Sequence, residues 1–248
     1  MEDNKFSETH RAVYYEGDKS GRVTMAMLIN MIILVSTDQS DHLGLTEKHL
    51  SDLGFGWVIT QYLIDVERMP HIDEKLTLTT EAVSYNRFFC YRDFWIHDEE
   101  GNECARVHAV LVLMDHETRK MVRVLPEVIE PFGAEYTRRI ERLENPVGIS
   151  DDDTVDFKKS YDVRFFDIDP NQHVNNSRYF DWLLDSLTEE FLMSHNLKHM
   201  NIKYEKEIHY GHKIDSIVVI KNDGLLTHHQ IKIGDDVYCE ADCEWTER

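Results

Sequence analysis

Two ten-residue segments, 151 positions apart in this 248-residue chain, align without a gap. Tyr14-Tyr15-Glu16-Gly17-Asp18-Lys19-Ser20-Gly21-Arg22-Val23 lies over Phe165-Phe166-Asp167-Ile168-Asp169-Pro170-Asn171-Gln172-His173-Val174. Aromatics match twice, acids match twice, and valine matches valine. Each copy leads into an apolar, helix-patterned stretch, Met25–Val35 in the first and Tyr179–Leu192 in the second. A motif that recurs with the same following element implies a duplicated module, and this length suits two units of about 120 residues. The copies differ where the chemistry lies: Asn171 faces Ser20, and His173 faces Arg22.

Each half reads as a buried helix followed by strands. The first helix covers roughly residues 23–38, and strand patterns follow at Trp57–Val66, Lys75–Ser84, Arg87–His97, Cys104–Met114 and Lys120–Val124. In the second half Phe180, Leu183, Leu184, Leu187 and Phe191 fall on one face of a continuous helix, with Asp181, Asp185 and Glu189 opposite. Strand patterns then occur at Ile202–His209, Ile214–Lys221, Leu225–Ile233 and Val237–Trp245, rich in β-branched and aromatic residues. A helix followed by successive antiparallel strands, given twice, predicts an α+β fold in which a curved sheet wraps a central helix. The expected organisation is a module over 1–128, a linker over 129–156 with a helical candidate at Ile129–Leu143, and a second module over 157–248. The acidic, breaker-rich run Asn145-Pro146-Val147-Gly148-Ile149-Ser150-Asp151-Asp152-Asp153 marks the linker.

The second copy carries a carboxylate, a carboxamide and an imidazole at alternate positions: Asp169, Asn171 and His173. In an extended segment these leave one face, roughly 6 to 7 Å apart per pair. Pro170 biases Asp169 towards extended geometry. Asn175 and Asn176 are helix N-cap candidates, which sets the three polar groups beside a helix start whose N–H groups suit a developing oxyanion. Turn chemistry before a helix explains Asp169 and Asn171 equally well when they are taken alone.

The formal net charge of −20 excludes nucleic acid and anionic membrane as general partners. Cys90, Cys104, Cys239 and Cys243 form no CxxC pair and read as free thiols of a cytoplasmic protein. The most apolar run, Met25–Val35, contains Asn30 and is too short to span a bilayer. The polar, acidic N-terminus shows no secretory signal. His209 and His212 near Glu207 show no tight ligand spacing, so no metal is expected.

The segment Asp167–Asn176 resembles the D-x-D-x-N-Q-H-V-N-N signature of the acyl-acyl carrier protein (acyl-ACP) thioesterases of plants and bacteria. Tyr204-Glu205-Lys206-Glu207 is similar to that family's Y-x-x-E segment, and Trp57-Val58-Ile59-Thr60 to its W-V-V-T strand start. The resemblance implies a tandem double hotdog fold and hydrolysis of fatty acyl thioesters of acyl carrier protein in fatty acid biosynthesis. It also implies Asp169, Asn171, His173 and Glu207 as the catalytic set. Asp169 is implied as general base or nucleophile, His173 and Asn171 as orienting groups, and Glu207 as a holder of water or of His173. Ile208 follows Glu207 where plant members have a cysteine, so a carboxylate-based mechanism is expected rather than a thiol one. No cofactor is implied, because the substrate carries its own phosphopantetheine arm. An acyl-coenzyme A thioesterase and a non-catalytic acyl-binding or sensor protein are the alternatives. The partner, acyl carrier protein, is acidic, so docking requires a basic patch on this acidic chain. Lys158, Lys159 and Arg164 are one candidate, Arg119, Lys120 and Arg123 a second, and Arg138, Arg139 and Arg142 a third. With two hotdogs already in one chain, a monomer or a homodimer is expected.

Overall fold

The computed structural model describes residues 4–248; the first three positions of the 1–128 module lie outside the described residues. The first half contains β1 (Phe6–Arg11), α1 (Met25–His42), α2 (Glu47–Asp52), β2 (Phe55–Val66), β3 (Lys75–Tyr85), β4 (Phe89–His97), β5 (Glu103–Asp115) and β6 (Met121–Val122). A connection holds α3 (Pro126–Ile129) and β7 (Glu135–Tyr136). The second half contains β8 (Phe157–Asp162), α4 (Asn176–Asp185), α5 (Glu189–Ser194), β9 (His195–Tyr204), β10 (Lys213–Lys221), β11 (Leu226–Ile233) and β12 (Asp236–Glu247).

One sheet runs through both halves in the order β1-β3-β4-β5-β2-β9-β12-β11-β10-β8. The order is a palindrome about the β2–β9 pair, as a duplicated module joined edge to edge requires. At the join, Tyr62 pairs with Ile202 and Ile64 with Met200. Register shifts at Ile59/Gln61, Ala82/Ser84 and Glu244/Trp245 put bulges in the strands, and such bulges bend a sheet around what it covers. What it covers is α1 packed against α4. Leu28, Ile29 and Ile32 of α1 and Phe180 and Leu183 of α4 are fully buried. Each such side chain contributes roughly 1.5–3 kcal/mol through burial. This is the α+β tandem double hotdog architecture expected from the sequence.

Several local expectations are corrected. The helical pattern at Ile129–Leu143 gives only α3 and a short 3₁₀ turn at Glu130–Phe132; Gly133, at φ 73°, then stops the chain from continuing as a helix. Residues 137–156 run irregularly across the outer face of the sheet. There Glu144 O accepts from both Gln61 Nε2 (2.8 Å) and Asn201 Nδ2 (2.9 Å). Arg138, Arg139 and Arg142 are therefore exposed on an irregular segment, not aligned on a helix. The second-half helix is broken at Ser186–Thr188, because Thr188 caps α5 by accepting from Phe191 N at 3.2 Å. The polar edge strands β1 and β8 carry too weak an alternation to be read from sequence, and their polarity suits an exposed edge.

Candidate active site

The segment Asp169–His173 is a tight loop, not an extended strand. Ile168 and Val174 bridge its base, Asp169 N donates to His173 O (2.8 Å), and Gln172 N donates to Asp169 O (3.0 Å). Gln172 takes φ 68°, a left-handed conformation that costs a non-glycine residue roughly 1–2 kcal/mol. Asp169 Oδ1 accepts from Asn171 N (2.8 Å) and His173 N (3.5 Å), which leaves Oδ2 without a partner among the described residues. Pro170 supplies no N–H, so those two amides are the ones the carboxylate meets. Local turn chemistry and a free carboxylate oxygen coexist in this one residue. Burial pushes the Asp169 carboxyl above its ordinary value, opposed by the two backbone N–H donors and by His173, with Glu47 of the first half adding to the rise.

Glu207 lies on a loop, since β9 ends at Tyr204 and the strand expected to reach His209 stops there. Glu205 N and Lys206 N both turn onto Tyr238 O, and Val174 N donates to Ile208 O (2.9 Å). That bond fixes Glu207 beside the motif loop: Glu207 Oε2 lies 3.2 Å from His173 Nε2. A residue of the first half completes the group. Arg119, in the loop between β5 and β6, donates to Glu207 Oε1, and its Nη2 is 3.4 Å from His173 Nε2. The hydrogen bond from His173, and then the charges of His173 and Arg119, hold the Glu207 carboxyl below its usual range against the effect of burial.

The structure thus brings His173 and Glu207 into contact, sets Asp169 in the same loop, and leaves Asn171 exposed with its carboxamide unpartnered among the described residues. The helix-start amides do not stand open as expected. Asn175 caps α4 by accepting from Ser177 N (3.0 Å) and Ser177 Oγ (2.9 Å), and its carbonyl takes Arg178 N. Asn176, the other cap candidate, is the first helical residue and donates to Tyr62 Oη (3.2 Å) across the halves. Asp167 is buried and held by Arg164 and Arg178. In the first copy Glu16 is held by His10 in the same place, so this acid is structural in both.

His173, Glu207 and His209 offer ligand atoms within 4.8 Å of one another, a grouping that the sequence spacing argued against. The Arg119 guanidinium already sits on Glu207 and beside His173, and its positive charge opposes a cation there. The basic patch expected at Lys158, Lys159 and Arg164 is not open. Lys158 pairs with Asp215, Lys159 with Asp185 and Arg164 with Asp167. Arg119 leaves its expected patch for the cluster, whereas Lys120 and Arg123 are exposed with no ion-pair partner among the described residues. The four thiols are buried, and burial pushes Cys104 up to about 11, Cys90 up to about 12, and Cys239 and Cys243 further up. None has the lowered pKa of a nucleophilic thiol.

The model of the acyl-ACP thioesterase N-terminal domain matches residues 3–132, and that of the C-terminal domain matches residues 150–247. The chain belongs to the acyl-ACP thioesterase family. It is similar to a putative oleoyl thioesterase of Lactobacillus plantarum, with 43% identity, a TM-score of 0.95, and coverage of 98% of this chain and 96% of that one. The fold is also that of the 12:0-ACP thioesterase from Umbellularia californica, with a TM-score of 0.85 at 20% identity, covering 100% and 99% of the two chains. A chloroplastic acyl-[acyl-carrier-protein] hydrolase of Cuphea viscosissima is 28% identical over 191 residues, which cover 71% of this chain and 46% of that protein. The chain spans about half the length of curated relatives that it matches. Among the described residues of this family member, no helix is long and apolar enough to cross a membrane.

Proposed function

We propose that this chain hydrolyses fatty acyl thioesters of acyl carrier protein to free fatty acid and carrier, as part of fatty acid biosynthesis. The observation that carries the reading is the His173–Glu207–Arg119 cluster beside the half-buried Asp169, in a chain of this family. Asp169 Oδ2 takes a proton from water, and the water oxygen attacks the thioester carbonyl. The tetrahedral intermediate then collapses by breaking the C–S bond. The leaving thiolate needs little protonation, since thiols ionise readily. Glu207 fixes the His173 ring through Nε2, and Arg119 fixes Glu207. Asn171, whose carboxamide has no partner among the described residues, orients the thioester carbonyl or the water. No cofactor enters these steps.

The basic surface that suits an acidic carrier is Arg87, Lys120 and Arg123. All three are exposed, and the bond from Val124 N to Arg87 O (3.0 Å) joins the β3–β4 turn to the segment that follows Arg119. Four buried free thiols are in keeping with a reducing, cytoplasmic setting.

The test is thiol release from a matched panel of acyl carrier protein and coenzyme A thioesters with acyl chains of increasing length. Preference for the carrier-bound series is expected. Preference for coenzyme A esters refutes the assigned partner, and acyl binding without release refutes the assigned activity. A single turnover in ¹⁸O water tests the role of Asp169: label is expected in the fatty acid alone, and label in Asp169 makes it the nucleophile.

A further inference from the structure

The backbone around the first-half copy repeats the candidate active site bond for bond. Asp18 N donates to Arg22 O (2.8 Å), Gly21 N to Asp18 O (3.0 Å), Val23 N to Pro70 O (2.8 Å) and Thr24 N to Glu16 O (2.9 Å). The second-half counterparts join Asp169 to His173, Gln172 to Asp169, Val174 to Ile208 and Asn175 to Asp167, at 2.8–3.0 Å. Pro70 therefore stands where Ile208 stands, and Met69 takes the place of Glu207. The two groups in contact at the working site, His173 and Glu207, become Arg22 and Met69. Neither accepts a proton, so the second site keeps a carboxylate, Asp18, in the place of Asp169 but lacks the imidazole–carboxylate pair beside it.

A cavity of about 600 Å³ opens at this second site and contains none of Asp169, Asn171, His173 or Glu207 in its wall. Its apolar wall includes Leu184, Leu192, Leu197 and Trp245 from the second half. Arg22 and Arg248 also face it. Arg22 Nη1 (2.7 Å) and Arg248 Nε (3.0 Å) both donate to the same neutral acceptor, Asn196 Oδ1. Neither arginine has another residue's carboxylate within ion-pair distance among the described residues, although the chain carries a net charge of −20. Of the nearby acids, Asp181 pairs with Arg178, and Asp185 with Lys159 and Tyr161, while Asp18, bonded to Ser20, acts on Arg248 from beyond ion-pair distance. Arg68 is neutralised by Glu74 and Asp98, and Glu67 is exposed at the rim. Two guanidiniums thus share one amide oxygen above an apolar chamber, with no ion-pair partner among the described residues.

We propose that this second site binds an aliphatic carboxylate without turning it over, the head group on Arg22 and Arg248 and the chain against Leu184, Leu192, Leu197 and Trp245. A guanidinium matches a carboxylate with two parallel hydrogen bonds. The cavity volume lies within the range of sites for small apolar ligands. The inference goes beyond the hydrolytic reading, since it needs no turnover at His173.

Calorimetric titration of the whole protein with dodecanoate, below its micelle concentration, tests this. Dodecanol and inorganic phosphate serve as the tail-only and head-only probes. Arg22→Gln and, separately, Arg248→Gln are expected to remove one equivalent of dodecanoate or weaken it at least tenfold, while Arg22→Lys retains most of it. Release of thiol from a small thioester is expected to stay at the wild-type rate in Arg22→Gln. Unaltered dodecanoate binding in both glutamine variants overturns the proposal. So does dodecanol or phosphate binding as tightly as dodecanoate, because then one half of the site is idle. If thiol release is absent in every protein but the lost equivalent is seen, the hydrolytic reading fails and this one stands.

Discussion

Arg119 of the first half and Glu207 of the second meet across the join between the modules, and the bond they make ties the imidazole of His173 to both halves. Arg119 itself takes φ 53°, in a loop held by Asp115, whose Oδ1 accepts from Glu117 N (3.1 Å) and Thr118 N (2.7 Å). The arginine is presented by a pinned turn rather than by a free surface chain.

Replacing Arg119 by alanine is expected to lower kcat about tenfold, which corresponds to ~1.4 kcal/mol, and to leave the melting temperature nearly unchanged. Both partners are about one-third exposed, with side-chain exposures of 36% and 34%, so the stability effect is screened. Because Arg119 helps hold the Glu207 carboxyl down, its loss raises that carboxyl towards the ordinary value. The low-pH limb of the rate profile therefore moves to higher pH. An unmoved limb with unchanged kcat removes Arg119 from the positioning of His173.

Asp169→Asn separates turn from chemistry. The carboxamide oxygen still accepts from Asn171 N, so the loop stays closed and unfolding stays cooperative. Loss of the carboxylate is expected to cost 10²-fold or more in turnover, in the range for a general base. Burial raises the Asp169 carboxyl, and the charge of Glu47 adds to the rise. Glu47→Gln therefore shifts the acid limb slightly to lower pH. For stability the sign is opposite to that of a paired acid. A raised carboxyl favours the folded state below its folded pKa, and that contribution is lost as pH rises from 3.8 through the raised value. Wild-type turnover in Asp169→Asn eliminates the carboxylate as base.

Charge reversal distinguishes the two basic regions on the surface. Lys120→Glu with Arg123→Glu is expected to raise KM for the carrier-bound substrate several-fold, with little change for a small thioester, and more at low salt than at high. Lys158→Glu with Lys159→Glu breaks the pairs to Asp215 and Asp185 and is expected to leave both KM values alone. Equal KM effects from the two pairs dismiss the Lys120 face as the docking site.

The strap over the module join carries its own test. Gln61 Nε2 donates to Asn201 Oδ1 at 2.8 Å, and both carboxamides hold Glu144 O. Gln61→Leu leaves buried polar atoms unpaired and is expected to cost about 1–3 kcal/mol in urea unfolding. In the double variant Gln61→Leu with Asn201→Leu the loss is expected to be less than the sum of the two single losses. Strict additivity means that the two amides do not act as one clasp.

The sequence by itself determined the duplication, the order of the main helix and the strands that follow it in each half, and the ten-residue motif that carries Asp169 and His173, though not its closure into a loop. These are local patterns: periodicity, caps and a ten-residue motif are set by neighbours in the chain. It also marked Glu207, though on a strand rather than the loop where it lies, since nothing local records that Val174 N pulls Ile208 inward. Tertiary structure alone decided that Arg119 joins the cluster from 88 residues away, that Lys158 and Lys159 are neutralised, and that Arg22 and Arg248 converge on Asn196. A charged side chain's role depends on which opposite charge the fold brings within a few ångströms. That distance is fixed by sheet register and the palindromic strand order, not by position along the chain.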